Sequence, residues 1–76
     1  MITKNQVTSI KEKFQTILGV EAKTTGETKD GRAKSVKATI NGSIDGQKLC
    51  QLAEGVPYKH TLRRSGKGVT ITFKAN

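Results

Sequence analysis

Seventy-six residues make one small domain, because domains seldom fall below about fifty residues and a second would leave neither half a core. Two-domain enzyme architectures are excluded, and with 17 of 76 residues Ile, Leu, Val or Phe the chain sits just above the composition at which burial fails to offset folding entropy. Fourteen Lys and Arg against six Asp and Glu give a formal charge of +8 and an isoelectric point near 10.0, which points to an anionic partner.

The first predicted element is a helix over residues 4–18. Thr3 and Gln6 have capping-box spacing, Ile2 and Val7 occupy staple positions, and Gly19 stands where a helix stops. Val7, Ile10, Phe14, Ile17 and Leu18 form one apolar stripe along it. From Val20 the period changes to two. Asp30-Gly31 lies between the strand candidates VEAKTTGETK and RAKSVKATI and predicts a hairpin, with Val36, Ala38 and Ile40 facing the core. Only Val20 and Ala22 give the first of these strands a buried face, so residues 24–34 are expected to form a mobile hairpin tip.

After Asn41-Gly42 two readings compete for residues 43–55: a second hairpin, or a short helix capped by Asp45. The helix is favoured, since Leu49, Leu52, Ala53 and Val56 repeat at helical spacing and Gly55-Pro57 ends the run. Its apolar side would bury Cys50. The last segment, YKHTLRR-SGKG-VTITFKA, alternates as a hairpin with Val69, Ile71 and Phe73 inward, joined by Tyr58 and Leu62 with His60 between them. The order α-β-β-α-β-β gives an α+β fold, a two-layer sandwich with an antiparallel sheet and helices on one face. The opposite sheet face then carries Lys23, Thr25, Ser35, Lys37, Thr39, Lys59, Thr61, Arg63, Thr70, Thr72 and Lys74, all basic or hydroxyl-bearing.

One cysteine permits no internal disulfide, and Cys50 with His60 cannot complete a structural zinc site, so a reducing cytoplasmic setting is expected. No apolar run approaches the roughly 18 residues of a membrane span, and MITKNQ lacks a signal-peptide pattern, so a soluble chain at its native start is expected. A membrane role for the first helix is disfavoured, because the helix has no tryptophan and its polar face is only mildly basic. No internal repeat and no low-complexity run is visible.

Charge is placed unevenly. Residues 1–54 hold nine basic and six acidic side chains, and residues 55–76 hold five basic and none acidic. Lys59, Arg63, Arg64, Lys67 and Lys74 of the closing hairpin, with Arg32, Lys34 and Lys37 of the first, are the candidate phosphate contacts. The competing reading is that Lys-rich edges only deter sheet aggregation. The three aromatics, Phe14, Tyr58 and Phe73, fall to the core, so phosphate and shape contacts are expected rather than base stacking, with Tyr58 the alternative stacking residue. SGKG is flanked by strands and lacks the strand-to-helix setting of a phosphate loop.

His60 alone titrates near neutrality when unperturbed. A metal-free ribonuclease would need it as base beside Lys59, Arg63 or Lys67, and no second base pairs with it by spacing. Acidic residues show no metal-site cluster, and no cofactor is expected. The sequence therefore predicts a non-enzymatic, regulatory nucleic-acid-binding module for DNA or structured RNA. The alternative is an inhibitor or adaptor binding an acidic protein. A homodimer through a free sheet edge at the terminal strand is a further expectation.

Overall fold

In the computed structural model, which describes residues 1–75, the elements run α1 (Lys4–Lys13), β1 (Lys23–Thr25), β2 (Ser35–Asn41), α2 (Gly46–Ala53), β3 (Lys59–Ser65) and β4 (Gly68–Lys74). This is the α-β-β-α-β-β order read from the sequence, and residues 46–53 are helix rather than hairpin.

Helix α1 starts at Thr3, whose Oγ1 accepts the Gln6 backbone N–H at 3.4 Å and so satisfies one of the donors that a helix start leaves unpaired. Beyond Lys13 the helix widens into a π-helical turn over Phe14–Leu18, where the sequence predicts uninterrupted α-helix. Gly19 ends it with φ 68°, a left-handed conformation that glycine takes without steric cost. The stripe survives the change: Val7, Ile10 and Phe14 are buried, Ile17 and Leu18 half-buried. Helix α2 packs on the π-helical turn and buries Leu52, and its C-cap is tied to the end of α1 where Lys13 Nζ donates to the Glu54 carbonyl.

The first hairpin turns over Thr28–Gly31, with Gly31 N–H donating to the Thr28 carbonyl at 3.1 Å and Gly31 at φ 89°. A type I turn followed by a left-handed glycine is the usual three-residue hairpin loop. Arg32 and Ala33, expected in the second strand, lie before β2. Ala33 instead exchanges two hydrogen bonds with Ile2, at 2.8 and 3.1 Å, which buries both residues and draws the N-terminus onto the sheet.

The four strands form one antiparallel sheet in the order β1-β2-β4-β3. The last strand in the chain is therefore central, and the free edges belong to β1 and β3. An edge at the terminal strand, expected from the sequence, is absent because β4 pairs along its whole length with β2 on one side and β3 on the other. Gly68 makes the β2 pairing close: a β-carbon there would lie 2.0 Å from the Ile40 carbonyl oxygen. Val36, Ala38, Ile71 and Phe73 meet Ile2, Val7, Ile10, Phe14 and Leu52 in the core, where the Phe14 and Phe73 rings stand edge to face with centroids 5.8 Å apart.

Leu62 and Cys50, predicted inward, are exposed, Ser35, predicted on the outer face, is buried, and Tyr58 keeps its place against the core. Leu62 lies on the helix side of the sheet, opposite Ile71, yet is 47% exposed, because the helices cover β2 and β4 and stop short of β3. Cys50 is exposed, since α2 is short and buries the side bearing Leu52 and, in part, Leu49 and Ala53. Tyr58 precedes β3, is half-buried, and its hydroxyl accepts the Thr3 backbone N–H at 3.4 Å. Its ring is thus packed against the core and tied to the N-terminus, which removes it as a stacking residue on the outer face.

Candidate nucleic-acid interface

Strand alternation sends every second residue of the sheet away from the helices, and the pairing register fixes which of these are neighbours. One row across the sheet reads Thr25, Ser35, Lys74, Lys59. The next reads Lys23, Lys37, Thr72, Thr61, and a third reads Thr39, Thr70, Arg63. All eleven positions are lysine, arginine, threonine or serine. A carboxylate, Glu21, stands at the margin, on the wall of a depression that Lys23 and Lys37 also line. Two shallow depressions of about 540 and 530 Å³ cross this face and share Lys37, Ser65 and Thr70 on their walls.

The register sets two like-charged pairs directly opposite each other, Lys23 with Lys37 and Lys59 with Lys74. Such pairs destabilise a sheet. Strands about 4.8 Å apart and a rise of about 3.4 Å per residue put the two pairs roughly 12 Å from one another. Beside them the surface is hydroxyl: Thr72 lies between the two pairs with Thr61 as its cross-strand partner, and in the next row Thr39 and Thr70 lie with Oγ1 atoms 3.0 Å apart. Hydroxyls and ammonium groups together donate well to phosphate oxygens, and the absence of a ring on this face leaves no platform for base stacking.

Of the candidate contacts named from the sequence, Lys37, Lys59, Arg63 and Lys74 are brought together here. Lys23, which alternation also placed outward but which was not among those candidates, joins them as the partner of Lys37. The other four lie elsewhere. Arg64 is opposite Val69 and so projects on the helix side. Lys67 occupies the two-residue β3–β4 turn with Gly66, and with Arg64, Ser43 and Gly42 it borders a separate depression of about 350 Å³. Arg32 sits in the first hairpin loop, where its Nε meets Asp30 Oδ2 at 3.2 Å. Lys34 lies just before β2, beside Met1, Lys74 and Ala75.

The loop around Arg32 has its own hydrogen-bond pattern. Thr28 Oγ1 donates to Asp30 Oδ1 and accepts the Arg32 N–H at 3.1 Å. The Thr28 hydroxyl, with a further contribution from Arg32, holds the Asp30 carboxyl below its ordinary value of 3.8. His60 faces the helix side, its ring centroid 5.8 Å from that of Phe73, while Lys59 and Arg63 project from the other face. The register thus puts the histidine on the opposite face from Lys59 and Arg63, two of the three alternative cations named beside it. Among the described residues no group of three His, Cys, Asp or Glu side chains is placed to hold a metal ion, and no helix is long and apolar enough to cross a membrane.

Comparison with protein-family models, with curated proteins and with solved structures finds no match to this chain.

Proposed function

We propose that the chain is a small nucleic-acid-binding module that sets its outer sheet face on the phosphate backbone of DNA or structured RNA. The observation that supports this reading is the acid-free outer grid, with five cations on one face and two like-charged pairs built into its register. A face whose own charges repel gains most from an anion laid across it, because the ligand turns a repulsion into two attractions. The hydroxyls beside the cations offer neutral donors to the same phosphates.

The test is fluorescence anisotropy of the nuclease-treated protein with labelled duplex DNA, single-stranded DNA and structured RNA across a salt series. Five phosphate contacts predict a slope of log K against log salt of about −4.5 on a duplex, reduced by about 0.9 in Arg63→Ala, with little dependence on base sequence. Loss of all binding at physiological salt would refute the reading. A slope that Arg63→Ala leaves unchanged would refute the assignment of this face.

A further inference from the structure

Strand β3 is exposed at all seven residues. The sheet's hydrogen-bond phase shows which of its backbone groups are unpaired. Gly42 N–H donates to the Lys67 carbonyl at 3.0 Å, and Ala75 N–H donates to the Lys34 carbonyl at 3.2 Å, at the two ends of the β2–β4 pairing. Counting inward in steps of two from either end gives the same answer: Val69, Ile71 and Phe73 bond to β2. The alternate residues of β4 therefore bond to Ser65, Arg63, Thr61 and Lys59. The N–H and C=O groups of His60, Leu62 and Arg64 face the open edge.

That edge is seven residues long, continuous in register, and free of proline. Of the features that usually blunt an edge strand it has only charge. Arg63 and Lys59 flank it on the outer side and Arg64 on the helix side, with the half-exposed Leu62 at its centre. A second copy is a poor occupant. Antiparallel pairing about Leu62 would set Arg64 against His60 and Arg63 against Thr61, so that none of these cations gains an anionic partner, and nowhere in the chain do two acidic residues stand side by side.

We propose that the open edge of β3 takes up an extended acidic segment of another protein as a fifth, antiparallel strand. Backbone pairing with His60, Leu62 and Arg64 supplies affinity, and the flanking side chains supply selectivity. Read in the partner's direction, the residues opposite Arg64, Arg63, Leu62, Thr61, His60 and Lys59 give the pattern acidic, acidic, apolar, any, any, acidic. The apolar residue covers Leu62, and the carboxylates meet cations on both faces of the new strand. This site goes beyond the nucleic-acid reading: it uses the open edge and the helix side, and shares Lys59 and Arg63 with the outer face.

The experiment uses three labelled peptides: two glutamates, leucine, two threonines and glutamate in the order above; the same residues in a scrambled order; and the ordered peptide N-methylated at the amides that pair with His60, Leu62 and Arg64. At about 150 mM salt, where exposed charge alone is largely screened, the ordered peptide is expected to bind about tenfold or more tighter than either control. Saturation should slow amide hydrogen exchange at His60, Leu62 and Arg64. Leu62→Lys should lose most of the affinity while keeping the thermal midpoint. Equal binding of the three peptides, or no protection of those amides, would overturn the proposal. So would edge protection that rises with protein concentration in the absence of peptide, which would assign the edge to a second copy. None of these readouts depends on whether the protein binds nucleic acid.

Discussion

Replacing one lysine of each like-charged pair tests the outer face through two effects of opposite sign. In the double variant Lys37→Thr, Lys59→Thr both cross-strand repulsions disappear, and threonine is already the residue at Thr39, Thr70, Thr72 and Thr61 on the same face. Relief of each exposed pair is worth a few tenths of a kcal/mol at low salt. Together they should raise the thermal midpoint by roughly 2–5 °C in a domain of this size. The gain should shrink as salt screens the charges, because the pairs are solvent-exposed. Binding should move the other way. Two lost phosphate contacts lower the salt slope by about 1.8 and, at about 0.15 M salt, weaken duplex binding by about 30-fold. Circular dichroism melts at low and high salt, with anisotropy titrations across the same range, read both effects from one preparation. An unchanged midpoint at low salt would refute the repulsion that the register implies. A raised midpoint with an unchanged salt slope would refute phosphate contact at these lysines.

Other expectations follow from single positions. Gly68→Ala should destabilise the fold by about 1–3 kcal/mol in urea unfolding, the usual range for forcing atoms into a packed site, because its β-carbon meets the Ile40 carbonyl; an unchanged midpoint would contradict the close β2–β4 approach. The Asp30 carboxyl should titrate below 3.8 by NMR, and Thr28→Val should raise that midpoint more than Arg32→Gln does, the hydroxyl being the larger cause. Since its folded-state value is depressed, the stability it contributes is present above the unfolded-state value, near 3.8, and is lost as pH falls through the lower folded-state value. Cys50, exposed on α2, should react with an aromatic disulfide reagent in the native protein without added denaturant; labelling only on unfolding would bury it after all.

Local pattern carried much of this architecture. Thr3 and Gly19 bracket the first helix, Asp45 and Gly55 bracket the second, and the two glycine-bearing turns lie where strand alternation reverses. These are short-range effects of capping and backbone conformation, so they are visible in a few consecutive residues. What the sequence did not show depends on which elements meet across long separations. Alternation puts Leu62 on the helix side, but only the tertiary arrangement decides that the helices end before reaching it. Cys50 failed for a similar reason, because a two-turn helix buries a narrow stripe and periodicity cannot say which one. On the outer face the identities of the residues followed from alternation, although Ser35 among them is buried. Their juxtaposition did not: Lys23 with Lys37 is a hairpin neighbour, whereas Lys37 with Thr72 needs β2 and β4 to pair across more than thirty residues. Ala33 was misplaced in a strand because its partner, Ile2, lies at the far end of the chain.

The position of β4 shapes how the sheet can come into being. β1–β2 and β3–β4 are local hairpins, but β2 and β3 touch nothing of each other except through β4. During synthesis the ribosome delivers the middle of the sheet after both of its flanks. Until then β2 and β3 each present an unpaired edge, and the apolar side of β2 has no Ile71 or Phe73 beside it. Pairing at such sequence separation carries a large loop-closure cost and forms late. The fold should therefore appear in a single step once β4 is free to insert, and a nascent chain stopped after Ser65 would hold two strands waiting on either side of an empty place.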